Sequence, residues 1–314
     1  MNVQTSLGSQ NPRLEQVLST LQQKSCSNIP PEFSSSLSSR QIDGIRNLLE
    51  LAHGGIERKS GGWYLEEHIA AIGEIALQLS LPPYAVVLTL LHDFVEDNDN
   101  ALYPRKFVPN SKLRNFGKLE QQLFPNEEGV DFTKLDKRVI MSGVTLATKP
   151  DEVEVREFNF GNNFLNSDKR FAAKMMRALQ KSPYEGYEHF EDGTKITPTS
   201  RFYTELTLLF DMFLNSNFDE KPNQSLSRQK KVSFNKNKIR NAQRLVYYVP
   251  LLDSKIREYS ILGHCCMDNL NYENVIGEMV FPRVLDGIRR YGNKFTNNSK
   301  ELIKDFNDYV NTRS

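Results

Sequence analysis

An all-α fold is what this sequence predicts, on three observations. Apolar residues recur at helical spacing in one segment after another, as in Ile42, Ile45, Leu48, Leu49 and Ala52, or Ile69, Ile72, Ala76 and Leu79. No alternation of period two persists long enough to make a strand. Proline falls at helix boundaries: Pro82 and Pro83 end one helical pattern and open the next, where proline is tolerated in a first turn.

Taken in order, residues 1–37 are rich in Ser, Gln, Asn and Pro and are expected to form a mobile N-terminal segment with one short helix around Leu14–Leu21. A single domain with inserted loops is expected over 38–314. Its first helix starts at Ser39, and the polar stretch "HGGIERKSGGWY" follows as a loop. A helix from about Glu66 and another from Tyr84 to about Asp97 come next. Further helices are expected near 113–124, 132–147, 167–181, 200–215, 238–270 and 272–310. Long loops are expected over 149–165, 182–199 and 221–240. The last holds seven Lys or Arg and no acid, which suits either a solvated basic loop or the attraction of a polyanionic ligand.

Composition narrows the function classes. Lys+Arg 40 against Asp+Glu 39 leaves a net charge of +1, which gives no general attraction to nucleic acid or to an anionic membrane. No apolar run approaches a membrane span, and the first residues lack the charged-then-apolar pattern of a secretion signal. Three cysteines, two of them adjacent (Cys265 and Cys266), make neither a disulfide framework nor a metal knuckle, so a reducing cytoplasm is expected.

The chemistry concentrates in "LTLLHDFVEDND", Leu88 to Asp99. The helix leading into it is apolar nearly all round, which marks a buried element. It then delivers His92, Asp93, Glu96, Asp97 and Asp99 to a helix end that already carries partial negative charge. A bound divalent cation would reverse that unfavourable field. An His-Asp pair alone equally suits a helix that merely ends at the surface, but two further segments point toward an ion. His68 opens the preceding helix, and "ELTLLFDMFLNS" sets Thr207, Asp211 and Asn215 one turn apart beside an apolar stripe. His68, His92, Asp93 and Asp211 make two imidazoles and two carboxylates, a set that suits a six-coordinate Mn²⁺-like ion with open positions better than a closed structural zinc site.

With those residues in view, the chain resembles an HD-superfamily metal phosphohydrolase, and more closely the hydrolase domain of the RelA/SpoT-homologue family. The resemblance rests on "HGGIERKSGGWYLEEH", "LLHDFVED" and the Asp211–Asn215 spacing of "LFDMFLNS". "VIMSGVTLATK" and "AQRLVYYVPLLDSKIREYSILGHCCMDNLNYENV" extend it to roughly residues 40–275. Three departures stand out: one extra residue between the RKSG loop and His68, Ile69 in place of a usual proline, and "FDMFLNS" without the family's Arg and His at that stretch.

The resemblance implies an HD-domain helical bundle with one Mn²⁺ held by His68, His92, Asp93 and Asp211. It implies Glu96 and Asp97 as the residues that position and deprotonate water, and Arg58, Lys59, Ser60 and Asn215 as contacts to a nucleotide. The implied reaction removes the 3′-pyrophosphate from guanosine polyphosphate alarmones. Other nucleotides (ppApp, NADPH or deoxynucleotides) and a catalytically silent regulatory scaffold are the alternatives. His53 reads as a loop or supporting residue, and the oligomeric state stays open.

Overall fold

Local capping starts the helices that carry the core. Ser38 accepts the amide of Gln41 while the Gln41 side chain accepts the amide of Ser38, a complete capping box. Thr133 and Asp136 repeat the exchange, with Asp136 N donating to Thr133 Oγ1 and Thr133 N donating to Asp136 Oδ2. The computed structural model describes residues 11–26, 33–94, 132–147, 198–261, 271–295 and 299–313. Of these 76% are helical and none forms a sheet, so the fold is all-α.

The helices are α1 (Pro12–Gln23), α2 (Ser39–His53), α3 (Ala70–Gln78, entered through a π-helical turn, Leu65–Ile69), α4 (Pro83–Leu90), α5 (Lys134–Ala147), α6 (Pro198–Asn215) and α7 (Arg228–Ile261). One turn at Tyr272–Asn274 and a π segment, Val275–Val280, then lead into α8 (Phe281–Tyr291), and α9 (Ser299–Arg313) follows. Every residue of α4 is buried, as its unbroken apolar run demands. Around it stand α3, α5 and α6, and α6 in turn packs along α7. The α4–α5 approach needs Gly143, because a Cβ there would lie 2.0 Å from Leu88 Cδ1.

Several sequence expectations are refined. The expected 84–97 helix ends as an α-helix at Leu90, with Leu91–Asp93 in a turn. There the Thr89 carbonyl accepts His92 Nδ1–H, and Phe94 N turns back to Leu91 O, three residues away. The expected basic loop 221–240 is loop only to Ser227, and the rest belongs to the start of α7. The expected 272–310 helix is broken at a 3-10 turn, Gly292–Lys294, before α9.

The N-terminal segment carries a full helix that docks: Leu14, Val17, Leu18 and Leu21 are all buried. Burial of such side chains contributes roughly 1.5–3 kcal/mol each. Polar contacts reinforce the docking, since Glu66 accepts the amides of Arg13 and Leu14 and the Arg13 guanidinium pairs with Glu74. Packed structure therefore includes residues ahead of 38. The helices expected at 113–124 and 167–181, the loop at 149–165 and all but the end of the 182–199 insertion lie outside the described residues. No described helix is long and apolar enough to cross a membrane.

Candidate metal centre

Three elements bring four of the expected residues together. His68 projects from the π turn ahead of α3, His92 and Asp93 from the turn after α4, and Asp211 from the last turn of α6. A hydroxyl pair sets the register between α4 and α6: Thr89 Oγ1 and Thr207 Oγ1 lie 3.0 Å apart, both buried. His92 is three residues beyond the first threonine and Asp211 four beyond the second, so the pair brings both side chains to one level.

The ligand-type atoms of His68, His92, Asp93 and Asp211 all lie within 4.8 Å of one another. His68 Nε2 is 3.3 Å from Asp211 Oδ1 and 3.7 Å from Asp93 Oδ2, and His92 Nε2 is 3.1 Å from the same Asp93 oxygen. Donors at about 2.1 Å from a shared ion are at most about 4.2 Å apart, so small side-chain shifts would close this group around one cation.

The residues fit an ion in two further respects. Among the described residues, His68 Nδ1 is buried with no hydrogen-bond partner, and Nε2 of His68 and of His92 face carboxylate oxygens without hydrogen-bond geometry, an arrangement that is costly unless something else engages them. His92 Nδ1 donates to the Thr89 carbonyl at 2.8 Å, which holds the ring with Nε2 toward the other three residues, the usual support for a ligating imidazole. The imidazole side chains are 1% and 2% exposed, whereas Asp93 and Asp211 are 16% and 22% exposed. The imidazoles are thus buried and the two carboxylates partly exposed. These four residues could hold a metal ion.

Charge coupling inside the group is strong. Burial pushes the His92 imidazole down, but Asp93, Asp211 and the Thr89 carbonyl outweigh it and raise its pKa to about 9. Burial likewise opposes protonation of His68, yet Asp211 and Asp93 raise it. Burial would push both carboxylates up, but His92 and His68 hold Asp93 well below the ordinary carboxylate value, and His68 and His92 hold Asp211 down. The two carboxylates thus favour the protonated form of both imidazoles. A divalent cation that displaces both imidazolium protons leaves the total charge unchanged. Ligand nitrogens must be deprotonated to bind. Apparent affinity for Mn²⁺ is therefore expected to rise as pH increases from about 6 toward about 9, with proton release on binding. Calorimetry in buffers of different ionisation enthalpy measures both.

The remaining predicted residues are placed unevenly. Asn215 Nδ2 donates to Asp211 Oδ1 at 2.5 Å, so it adjoins the cluster. Arg58 is engaged by protein: Nη1 pairs with Glu220 Oε1 at 2.9 Å and donates to Glu67 O, and Nη2 reaches Asn215 Oδ1 at 3.5 Å. Lys59 is exposed and Ser60 half-buried in the same turn, closed by Arg58 N to Gly62 O and by Gly61 at φ +103°. Glu96 and Asp97 lie outside the described residues. Sequence reasoning missed Thr89 and Glu220 as supporting residues, although Thr89 stands only one turn before His92. His53, the last residue of α2, is buried against the Tyr64 ring.

Comparison with protein-family models, with curated proteins and with solved structures finds no match for this chain.

Proposed function

We propose that this chain is a divalent-metal-dependent phosphohydrolase that removes the 3′-pyrophosphate from guanosine polyphosphate alarmones. Water and ppGpp give GDP and pyrophosphate; pppGpp gives GTP. The observation that carries the proposal is the convergence of two buried imidazoles, His68 and His92, with two partly exposed carboxylates, Asp93 and Asp211. When bound, an ion such as Mn²⁺ supplies the charge that polarises a phosphoryl oxygen and acidifies water.

The chain's own residues carry the rest. Thr89 and Asn215 hold His92 and Asp211 in place. In the proposal, Glu96 and Asp97 accept the proton of the attacking water, and Lys59 and Ser60 meet substrate phosphate from the turn. The chain enters α3 through the π turn Leu65–Ile69, whose wider i→i+5 bonding could take up the one extra residue between the RKSG loop and His68 without shifting α3. That supports the resemblance on which the substrate is proposed.

A second reading keeps the metal and changes the nucleotide. It is favoured by Arg58, which Glu220, Glu67 and Asn215 already engage. A nucleotide panel assayed after chelation and again with Mn²⁺ separates the readings. Mn²⁺-dependent pyrophosphate release from ppGpp is expected. Turnover confined to another nucleotide would move the substrate, and no turnover with the ion bound would favour a silent scaffold.

A further inference from the structure

Tyr64 is a neutral side chain hydrogen-bonded to the Asp93 oxygen that both histidines approach. Its hydroxyl donates to Asp93 Oδ2 at 2.5 Å, in the range of a charge-assisted O–H···O⁻ bond. That same oxygen lies 3.1 Å from His92 Nε2 and 3.7 Å from His68 Nε2. A carboxylate oxygen can accept from a hydroxyl and still offer a lone pair to a cation. The ring of Tyr64 is fixed as well: its centroid is 4.9 Å from that of His53 and 4.8 Å from that of His68. Backbone bonds anchor the residue on the turn, Tyr64 N donating to Ile56 O across the bridge formed by Glu57 and Trp63.

We propose that Tyr64 is a positioning residue for the metal centre: clamped between His53 and His68, it fixes the Asp93 oxygen that binds the cation. The inference rests on the metal-binding reading above and extends it to a residue whose side chain that reading leaves without a role. Losing one outer partner of a metal ligand typically lowers affinity 10–100-fold. Tyr64→Phe removes the hydroxyl and keeps the ring between its two histidine neighbours.

The test is a Mn²⁺ titration of full-length wild type and Tyr64→Phe, with unbound ion counted by its electron paramagnetic resonance signal and no substrate present. The expected result is one site in both proteins, weakened about 10–100-fold in the variant, with a changed bound-Mn²⁺ spectrum and an unaltered metal-free melting curve. Equal affinity and identical spectra in the two proteins would overturn the role of Tyr64 while leaving the metal centre intact. Absence of Mn²⁺ binding by the wild type would overturn both. If Tyr64→Phe melts early, the Asp93→Glu variant of wild type and of Tyr64→Phe supplies the second comparison. Equal affinity loss from that change in both backgrounds means that Tyr64 and Asp93 act independently, and overturns the proposal; unequal loss supports it.

Discussion

Asp93→Asn and His92→Ala are each expected to abolish tight Mn²⁺ binding and to lower phosphohydrolase turnover by about a thousandfold or more. The magnitude follows from the several kcal/mol of transition-state charge stabilisation that a catalytic cation supplies, at 1.36 kcal/mol per factor of ten. Asp93→Asn tests it with least disturbance, because it keeps the side chain's shape and removes the charge on which His92 and His68 both depend. His92→Ala removes the nitrogen whose orientation Thr89 fixes. Circular dichroism of both variants should retain the helical signal. Steady-state kinetics with Mn²⁺ provide the activity readout, and turnover that survives in both variants contradicts the assignment of this pair.

Phe210→Ala is expected to lower the free energy of unfolding by about 3–5 kcal/mol, the usual cost of truncating a fully buried phenylalanine. Phe210 is 0% exposed on α6, the helix that packs against α3, α4, α5 and α7. The cavity would therefore open where most of the bundle meets, with little scope for collapse. Thermal or denaturant unfolding measures the loss. The residue also precedes Asp211, so metal affinity should weaken only as far as α6 loosens. A variant that is much less stable yet still binds Mn²⁺ at low temperature is the outcome that separates scaffold from ligand.

Much of this arrangement was legible in the sequence, for physical reasons that differ by element. The α4 segment announced itself because a nearly uninterrupted apolar run has to be buried all round, and the acids after it had to find compensation. Thr207, Asp211 and Asn215 were readable as one polar line because helical spacing of four puts them on one face. Residue chemistry set Asp211 with His68, His92 and Asp93, and the structure brings those four side chains together.

What escaped reading has equally definite causes. The short helix expected around Leu14–Leu21 is present, but the Ser- and Gln-rich composition around it gave no sign that Leu14, Val17, Leu18 and Leu21 dock in the core. The lysines and arginines of 228–240 looked like loop because charge says nothing against a solvated helix start. The engagement of Arg58 by Glu220 joins residues 162 positions apart, a separation at which local patterning carries no signal. Tyr64 OH on Asp93 is a similar case, fixed by the turn that closes at Glu57 and Trp63.

The most direct test of the central claim is a crystal of the full chain soaked in MnCl₂, with diffraction data collected for the manganese anomalous signal. One anomalous peak is expected among His68 Nε2, His92 Nε2 and the facing oxygens of Asp93 and Asp211, at about 2.0–2.3 Å from each. A peak elsewhere, or none at these four residues when the soak labels other sites, would contradict it.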